Sequence, residues 1–548
     1  MHADAIWTNG KVCSMDAATL PATAVAVRDG RILHVGSDQD IIALSGAGTR
    51  RHDLHGRFVM PGLIDTHTHG LWGACRDLFE CYVGYTASID ELLTAVAARV
   101  TTTPAGTWIT GGPWRLEQLR AIGKTPRLLL DAVAPAHPVA LKDASQHSFW
   151  LNSMALRICG IDADFADVGG GVIEREPLTR VPLGVLSENA TGLVQPHLAP
   201  SPAQLAEAVR YMVRYFNGLG IVGFKEPMAY EADLVAYRDA DLAGELHLHV
   251  AAHLSRTSPF TPGRTPIETL RAWRDKYRSP HLSTGFAKLF LDGVAPSHTA
   301  AFLEPYKPAP GYDPSCHDPE AMLLLKPHDV NNEVTVLDRE GFVVKMHAVG
   351  DRAVRAGLDA IAAARTANGA SGLRHEVAHV PFVHPTDLPR FAALGAVAEV
   401  SPKLWFPNPV TASQHAVLGK ERTDRCHPIR SLLHAGAEVI YGSDWPASAP
   451  DANPWIGLAG MLTRRHPLGA FPGAIGEDQA ITLDEALPLF TVNAARSLGL
   501  GDTTGSLKSG KSADFIILER PIFDMTPAEI ATIEVAATIF EGRLVFER

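Results

Sequence analysis

A chain of 548 residues that is 46% hydrophobic and 20% charged has the make-up of an ordinary globular protein, long enough for more than one domain. Acidic residues outnumber basic ones 60 to 49, and the net charge of −11 opposes non-specific binding to nucleic acid or to an anionic membrane. No uncharged apolar run approaches the ~18 residues of a membrane span, and Cys13, Cys75, Cys81, Cys159, Cys316 and Cys426 contain no CxxC, which excludes the usual thiolate metal motif and a disulfide framework.

The chain opens with Met1-His2-Ala3-Asp4-Ala5, which has neither the basic nor the apolar region of a secretory signal. A cytoplasmic location is expected. Asn9-Gly10 and Asp29-Gly30 each lie between β-rich runs and predict hairpins. Ala513 to Leu518, and Val535 to Phe546 interrupted by Glu541-Gly542, repeat the pattern at the far end. Both ends are therefore expected to share one small β-domain.

Between them, eight β-rich segments alternate with helix-like or loop-rich stretches: Leu63 to His67, Ile221 to Lys225, Leu246 to Ala251, Phe286 to Leu291, Val343 to His347, Glu376 to Val380, Ala396 to Val400 and Glu438 to Gly442. Eight parallel strands close a TIM-type (β/α)8 barrel, an α/β fold whose chemistry sits at the C-terminal strand ends. The first two strands are some 150 residues apart, about ten times what one crossover helix needs. An inserted subdomain fills that gap, and Ser201-Pro202 starts a helix that stops near Gly218. The expected division is a β-sandwich from 1–58 and 500–548, a barrel from 59–70 and 201–499, and an insertion at 71–200.

His67 and His69 are two apart, so on a strand they share a face and can grip one cation. Alone, the pair is a weak signal. Asp65 lies on the same face, either as a further oxygen or as a turn acceptor. His347 ends the fifth strand, His379 lies at the sixth and Asp444 follows the eighth, which brings five candidate ligands to one barrel rim. Nitrogen and oxygen donors suit Zn2+, and also Mn2+, Fe2+ or Co2+. His375, four residues before His379, is expected lower in the barrel in a supporting role.

Lys288 is a lysine among apolar neighbours on the fourth strand. Burial lowers a lysine pKa, and the neutral amine can react with CO2 to give an anionic carbamate ligand. A structural pairing with Asp292 is the alternative.

With Met60-Pro61-Gly62-Leu63-Ile64-Asp65-Thr66-His67-Thr68-His69, Lys288 before Phe290-Leu291-Asp292-Gly293, His347-Ala348-Val349-Gly350-Asp351-Arg352-Ala353 and Gly442-Ser443-Asp444-Trp445-Pro446, the chain resembles the amidohydrolase superfamily over most of its length. Within it, the closer likeness is to the YtcJ-like branch that includes N-substituted formamide deformylases. The resemblance implies His67, His69, Lys288, His347, His379 and Asp444 as metal ligands, with a carboxylated Lys288 in a binuclear zinc-type centre. Three departures stand out: Ala378 where an acidic residue commonly precedes the ligand, His298 where relatives often carry arginine, and Ser401-Pro402-Lys403-Leu404-Trp405 after the seventh strand.

The expected activity is hydrolysis of an amide-type C–N bond in an N-acyl or N-formyl amine. A metal brings the pKa of its water to near 7, and Asp444 serves as general acid and base. A cyclic amide, carbamate or ester substrate is the alternative, and a non-catalytic metal-stabilised binding protein a more distant one. His147, Trp114, His298 and Trp405 are candidate substrate contacts. The expected partner is a small-molecule substrate rather than nucleic acid or membrane, and a homodimer is compatible with the sequence.

Overall fold

Eight short, largely buried segments pair in parallel and in chain order, as strands covered on both faces do. They are β1 (Leu63–Asp65), β2 (Ile221–Ala229), β3 (His249–Ser255), β4 (Leu282–Phe290), β5 (Val343–Ala348), β6 (Glu376–His379), β7 (Val397–Val400) and β8 (Glu438–Tyr441). Past the ends of the two outermost strands, Thr66 N donates to Tyr441 O (2.8 Å), Asp444 N to His67 O (2.7 Å) and His69 N to Trp445 O (2.8 Å). These bonds join β1 to β8 at the C-terminal rim of a (β/α)8 barrel. The computed structural model describes residues 2–16, 22–84, 87–144, 148–169, 171–258, 261–309 and 312–548, with the side chains of 261 and 262 outside the described set.

The eight segments named from the sequence are the eight barrel strands, with shifted ends. β3 runs to Ser255 rather than stopping at Ala251, because the apolar run continues through Ala252 and Leu254 and its register with Lys288 extends to Ser255. β1 ends at Asp65, so His67 and His69 stand just beyond the strand rather than on it. The helix expected after Ser201 spans Pro202–Gly218. It is started by a capping box in which Ser201 Oγ accepts from Gln204 N and Gln204 Oε1 accepts from Ser201 N.

The termini build two further sheets. One contains Ala5–Thr8, Ala24–Arg28, Arg31–Gly36 and Arg50–Asp53, and the other Lys11–Val12, Phe58–Pro61, Phe515–Leu518, Val535–Phe540 and Arg543–Glu547. Their shared core includes Trp7, Val25, Val27, Val59, Phe515 and Ile539, with Trp7 edge-on to Phe515 at 5.1 Å. Asp29-Gly30 and Glu541-Gly542 form the expected hairpin turns, all four residues at positive φ. Asn9-Gly10 does not: its flanking strands lie in different sheets, so the turn carries the chain from one layer to the other. Asn9 is held there by Asp53 Oδ1 (2.8 Å) and Asp38 Oδ1 (2.8 Å).

The chain folds as two compact units, 1–70 with 209–548, and Leu71–Ala208. The inserted unit therefore extends into the helix Pro202–Gly218, eight residues past the expected boundary. It is built on its own six-stranded sheet, with Trp114, Leu141, Trp150 and Val185 in its core. The first unit holds barrel and sandwich together. Phe58–Pro61 pairs with Phe515–Leu518, so the chain leaves the sandwich at Gly62, where Leu63 N donates to Gly220 O. Among the described residues, no helix is long and apolar enough to cross a membrane.

Candidate metal centre

The rim joins side chains far apart in sequence. Asp444 Oδ1 lies 3.6 Å from His67 Nε2 and 3.6 Å from His69 Nε2. The His67 and His379 rings are 4.6 Å apart and those of His347 and His379 4.5 Å. All of these except His347 are buried, and His347 nearly so. Lys288, 1% exposed, faces the Phe290 ring at 4.8 Å and has no hydrogen bond or ion pair among the described residues.

Local backbone explains how the rim is assembled. His67 can stand against β8 because residue 442 is glycine: a Cβ there would lie 2.4 Å from His67 Cβ. Asp65 Oδ1 accepts from His67 N (3.0 Å) and Ser443 N (3.1 Å), so Asp65 acts as a turn acceptor that ties the two strand ends together. Burial pushes its carboxyl up to about 7.

Each imidazole has a partner on the nitrogen turned away from the rim. His67 Nδ1 is 2.6 Å from Glu399 Oε2, His379 Nδ1 2.8 Å from Ser401 Oγ, and His347 Nε2 3.1 Å from Gly293 O. His69 Nδ1 lies 3.5 Å from Glu226 Oε1, and Glu226 is itself held by the Tyr237 hydroxyl at 2.9 Å. Metal-binding histidines are commonly oriented by this kind of outer contact.

A divalent ion fits this donor set. Burial, reinforced by nearby ammonium and imidazole groups, holds His67 and His379 well below the usual imidazole range and brings His347 to about 3, so all three are neutral and able to donate a lone pair. Burial opposes charge on His69 too, yet Asp444 and Glu226 outweigh it and raise its pKa. That corner of the site attracts positive charge. For Lys288, burial and then the Lys345 ammonium bring the pKa down to about 7.

The amidohydrolase family model matches residues 51–546. The chain belongs to the amidohydrolase family. It is 30% identical to Protein LONG AFTER FAR-RED 3 of Arabidopsis thaliana, over 99% of this chain and 92% of that one. Identity to the N-substituted formamide deformylase of Arthrobacter pascens is 28%, over 100% and 98%. A metal-dependent hydrolase of Pyrococcus horikoshii shares the fold with a TM-score of 0.76 at 20% identity, covering 95% of this chain and 99% of that structure.

In this amidohydrolase, Asp292 is not the partner of Lys288. Its carboxylate accepts from the backbone N–H groups of Ala301, Val349 and Gly350 at 2.8–3.0 Å, which ties the loop after β4 to the loop after β5. His375 is turned away from the rim: its Nδ1 accepts from Val344 N and its Nε2 meets Asp338 Oδ1 at 2.8 Å.

Two of the expected substrate contacts are buried among protein side chains. Trp114 is 1% exposed within the inserted unit's core, its indole N–H bonded to Leu141 O at 2.8 Å. Trp405 is 0% exposed, its N–H bonded to Gly457 O at 2.9 Å. Neither has a free face for a ligand; both pack. His298 stands in the loop after β4 beside the rings of Tyr306 (4.8 Å) and Tyr312 (5.7 Å), with Nε2 buried and without a hydrogen bond. His147 lies outside the described residues.

Sequence reasoning missed the charges beneath the rim. Lys225 on β2 pairs with Glu376 Oε1 on β6. Lys345 on β5 lies 3.2 Å from Glu376 Oε2 and 2.6 Å from Glu399 Oε2 on β7, and donates to Thr66 O at 2.5 Å. All four side chains are 0% exposed. For two of them the signal was present: Lys345 and Glu399 are each the single ammonium or carboxylate of a largely apolar strand, the criterion that singled out Lys288, whereas Lys225 stands beside Glu226 and Glu376 opens its strand.

Proposed function

We propose that this amidohydrolase cleaves an amide-type C–N bond in a small N-acyl or N-formyl amine, with Asp444 moving the proton. The observation that carries this reading is the Asp444 carboxylate, one oxygen of which stands 3.6 Å from the Nε2 atoms of both His67 and His69 in a buried site. One or two divalent ions, zinc foremost, bound by His67, His69, Lys288, His347, His379 and Asp444, would supply a nucleophile from water near neutral pH and polarise the scissile carbonyl. Asp444 takes the proton released as water adds to the carbonyl and returns it to the nitrogen, which leaves as an amine. The three neutral histidines give up no proton in the cycle.

Lys288 contributes as its carbamate. The neutral amine bonds the carbon of CO2 and releases a proton, leaving an anionic oxygen pair at the rim. The burial of its Nζ without a hydrogen-bond partner among the described residues supports this assignment. Full-length similarity to a formamide deformylase supports the choice of a C–N bond.

Matched N-formyl amines, N-acyl amines, cyclic amides and esters, incubated with zinc-supplemented protein, test the reading by release of amine and acid. Turnover of open-chain amides is expected. Turnover confined to esters or cyclic amides would overturn it.

A further inference from the structure

The ligand histidines are wired to one another through a carboxylate. We propose that Glu399 is the common positioning residue of the metal centre, deciding which nitrogen of both His67 and His379 is free to bind a cation. The inference rests on the metal-dependent reading above and concerns a side chain outside the ligand set proposed there, although a Glu399 oxygen and one nitrogen each of His67 and His379 lie within 4.8 Å of one another.

Glu399 is completely buried on β7. Its Oε2 receives the Lys345 ammonium at 2.6 Å and faces His67 Nδ1 at 2.6 Å, while its Oε1 faces Ser401 Oγ at 2.5 Å. An ionised carboxylate only accepts hydrogen bonds. His67 must therefore carry its proton on Nδ1, which leaves the Nε2 lone pair directed toward Asp444.

The second branch follows from a count of hydrogens. The single hydroxyl hydrogen of Ser401 goes to Glu399, so toward His379 Nδ1, 2.8 Å away, Ser401 can offer only a lone pair. His379 Nδ1 must be the donor. Its Nε2 is then unprotonated as well. One carboxylate thus sets the tautomer of an imidazole on the β1 end and, through one hydroxyl, of another on β6. Across β6 and β7 its register partner is Ala378, whose methyl group leaves room for the arrangement. With bonds to His67, Lys345 and Ser401 already engaging both oxygens, Glu399 orients ligands rather than acting as one.

A glutamine at this position makes the inference sharp. Its amide has one accepting oxygen and one donating NH2 in nearly the same volume. If the NH2 faces Ser401, the hydroxyl reverses and donates to His379 Nδ1, moving that ring's proton to Nε2. If the NH2 faces His67, Nδ1 of His67 must accept and its Nε2 becomes protonated. In either orientation one ligand nitrogen is lost.

The test is zinc affinity, measured by competition with a chromophoric chelator on metal-stripped protein, together with thermal unfolding of the stripped form. Wild-type protein is measured first. If it takes up no zinc, the metal-dependent reading itself fails, separately from the role of Glu399. Given zinc binding, Glu399→Gln is expected to weaken it about 10–100-fold, the range for loss of an orienting partner. Ser401→Ala keeps the Lys345–Glu399 pair and cuts only the branch to His379. It is expected to weaken zinc binding less than Glu399→Gln does, and the double variant to lose less than the product of the two single losses. Should Glu399→Gln fail to fold, Ser401→Ala decides. Zinc affinity within about twofold of wild type in a folded Glu399→Gln protein, or in Ser401→Ala, overturns the proposal.

Discussion

Two of the proposed ligands stand in left-handed backbone, Asp444 at φ 55° and His379 at φ 77°, where a side chain other than glycine costs ~1–3 kcal/mol. Such strain persists only where surrounding contacts impose it, and here the Asp444 N–H is bound by His67 O at 2.7 Å. Asparagine tolerates this conformation, so Asp444→Asn removes the proton acceptor while keeping the turn. We expect kcat to fall about 10²–10⁴-fold, the usual share of general acid–base catalysis, with little change in thermal midpoint; unchanged kcat would remove Asp444 from the mechanism. Lys345 makes a different residue-scale prediction. Replacing it with Met leaves the Glu399 carboxylate without an ammonium partner and Glu376 with Lys225 alone, and loss of one partner from a buried pair typically costs ~3–5 kcal/mol. Urea unfolding measures this directly, and a loss below about 1 kcal/mol would show that the charges are not held by Lys345.

At the scale of elements, the seam between β1 and β8 decides where the first two histidines stand. No ladder closes it, since Thr66, His67 and His69 reach β8 and its following loop by single backbone bonds. The seam is tight at Gly442, where an added methyl carbon would sit 2.4 Å from His67 Cβ. Gly442→Ala should therefore cost ~1–3 kcal/mol of stability through overpacking. It should also weaken zinc binding, because the displaced atom belongs to a proposed ligand. Unfolding and chelator competition read the two effects separately, and a variant with neither would mean that the seam opens freely.

Over the whole molecule, the end of the barrel opposite the rim is joined to the sandwich by histidine–carboxylate contacts, one buried and one partly exposed. His249 Nε2 lies 2.9 Å from Asp514 Oδ2. His281 Nδ1 is 2.6 Å from Asp241 Oδ1, and its Nε2 is 3.3 Å from Glu541 Oε1 in the sandwich hairpin. Glu541 first, with Asp241, outweighs burial and raises His281 to about 9. A folded-state pKa above the unfolded ~6.5 stabilises fully below about pH 6.5, and that stability is lost as pH rises toward 9. Thermal midpoints measured from pH 6 to 9.5 should accordingly fall more steeply for wild-type protein than for His281→Gln. Parallel curves would show that the clasp does not hold a proton.

Sequence alone determined the architecture and which histidines and aspartate stand together at the rim, because both are written as local patterns. Apolar runs such as Val343 to His347 identify strands, Asp29-Gly30 and Glu541-Gly542 identify hairpins, and the tenfold excess between β1 and β2 exposes the insertion. It misplaced what depends on the neighbours of a residue. Trp114 and Trp405 have the composition of pocket walls, yet their burial and their N–H bonds to backbone make them core, and Asn9-Gly10 has the chemistry of a hairpin turn but joins two sheets. The role of Glu399 was decided only by tertiary structure. A lone glutamate in Val397–Val400 says that a buried charge needs partners, but those partners, His67, Lys345 and Ser401, come from the turn after β1, from β5 and from the turn after β7. Hydrogen-bond direction, and with it the nitrogen that His67 and His379 leave unprotonated, exists only once barrel closure has brought these groups within 3 Å.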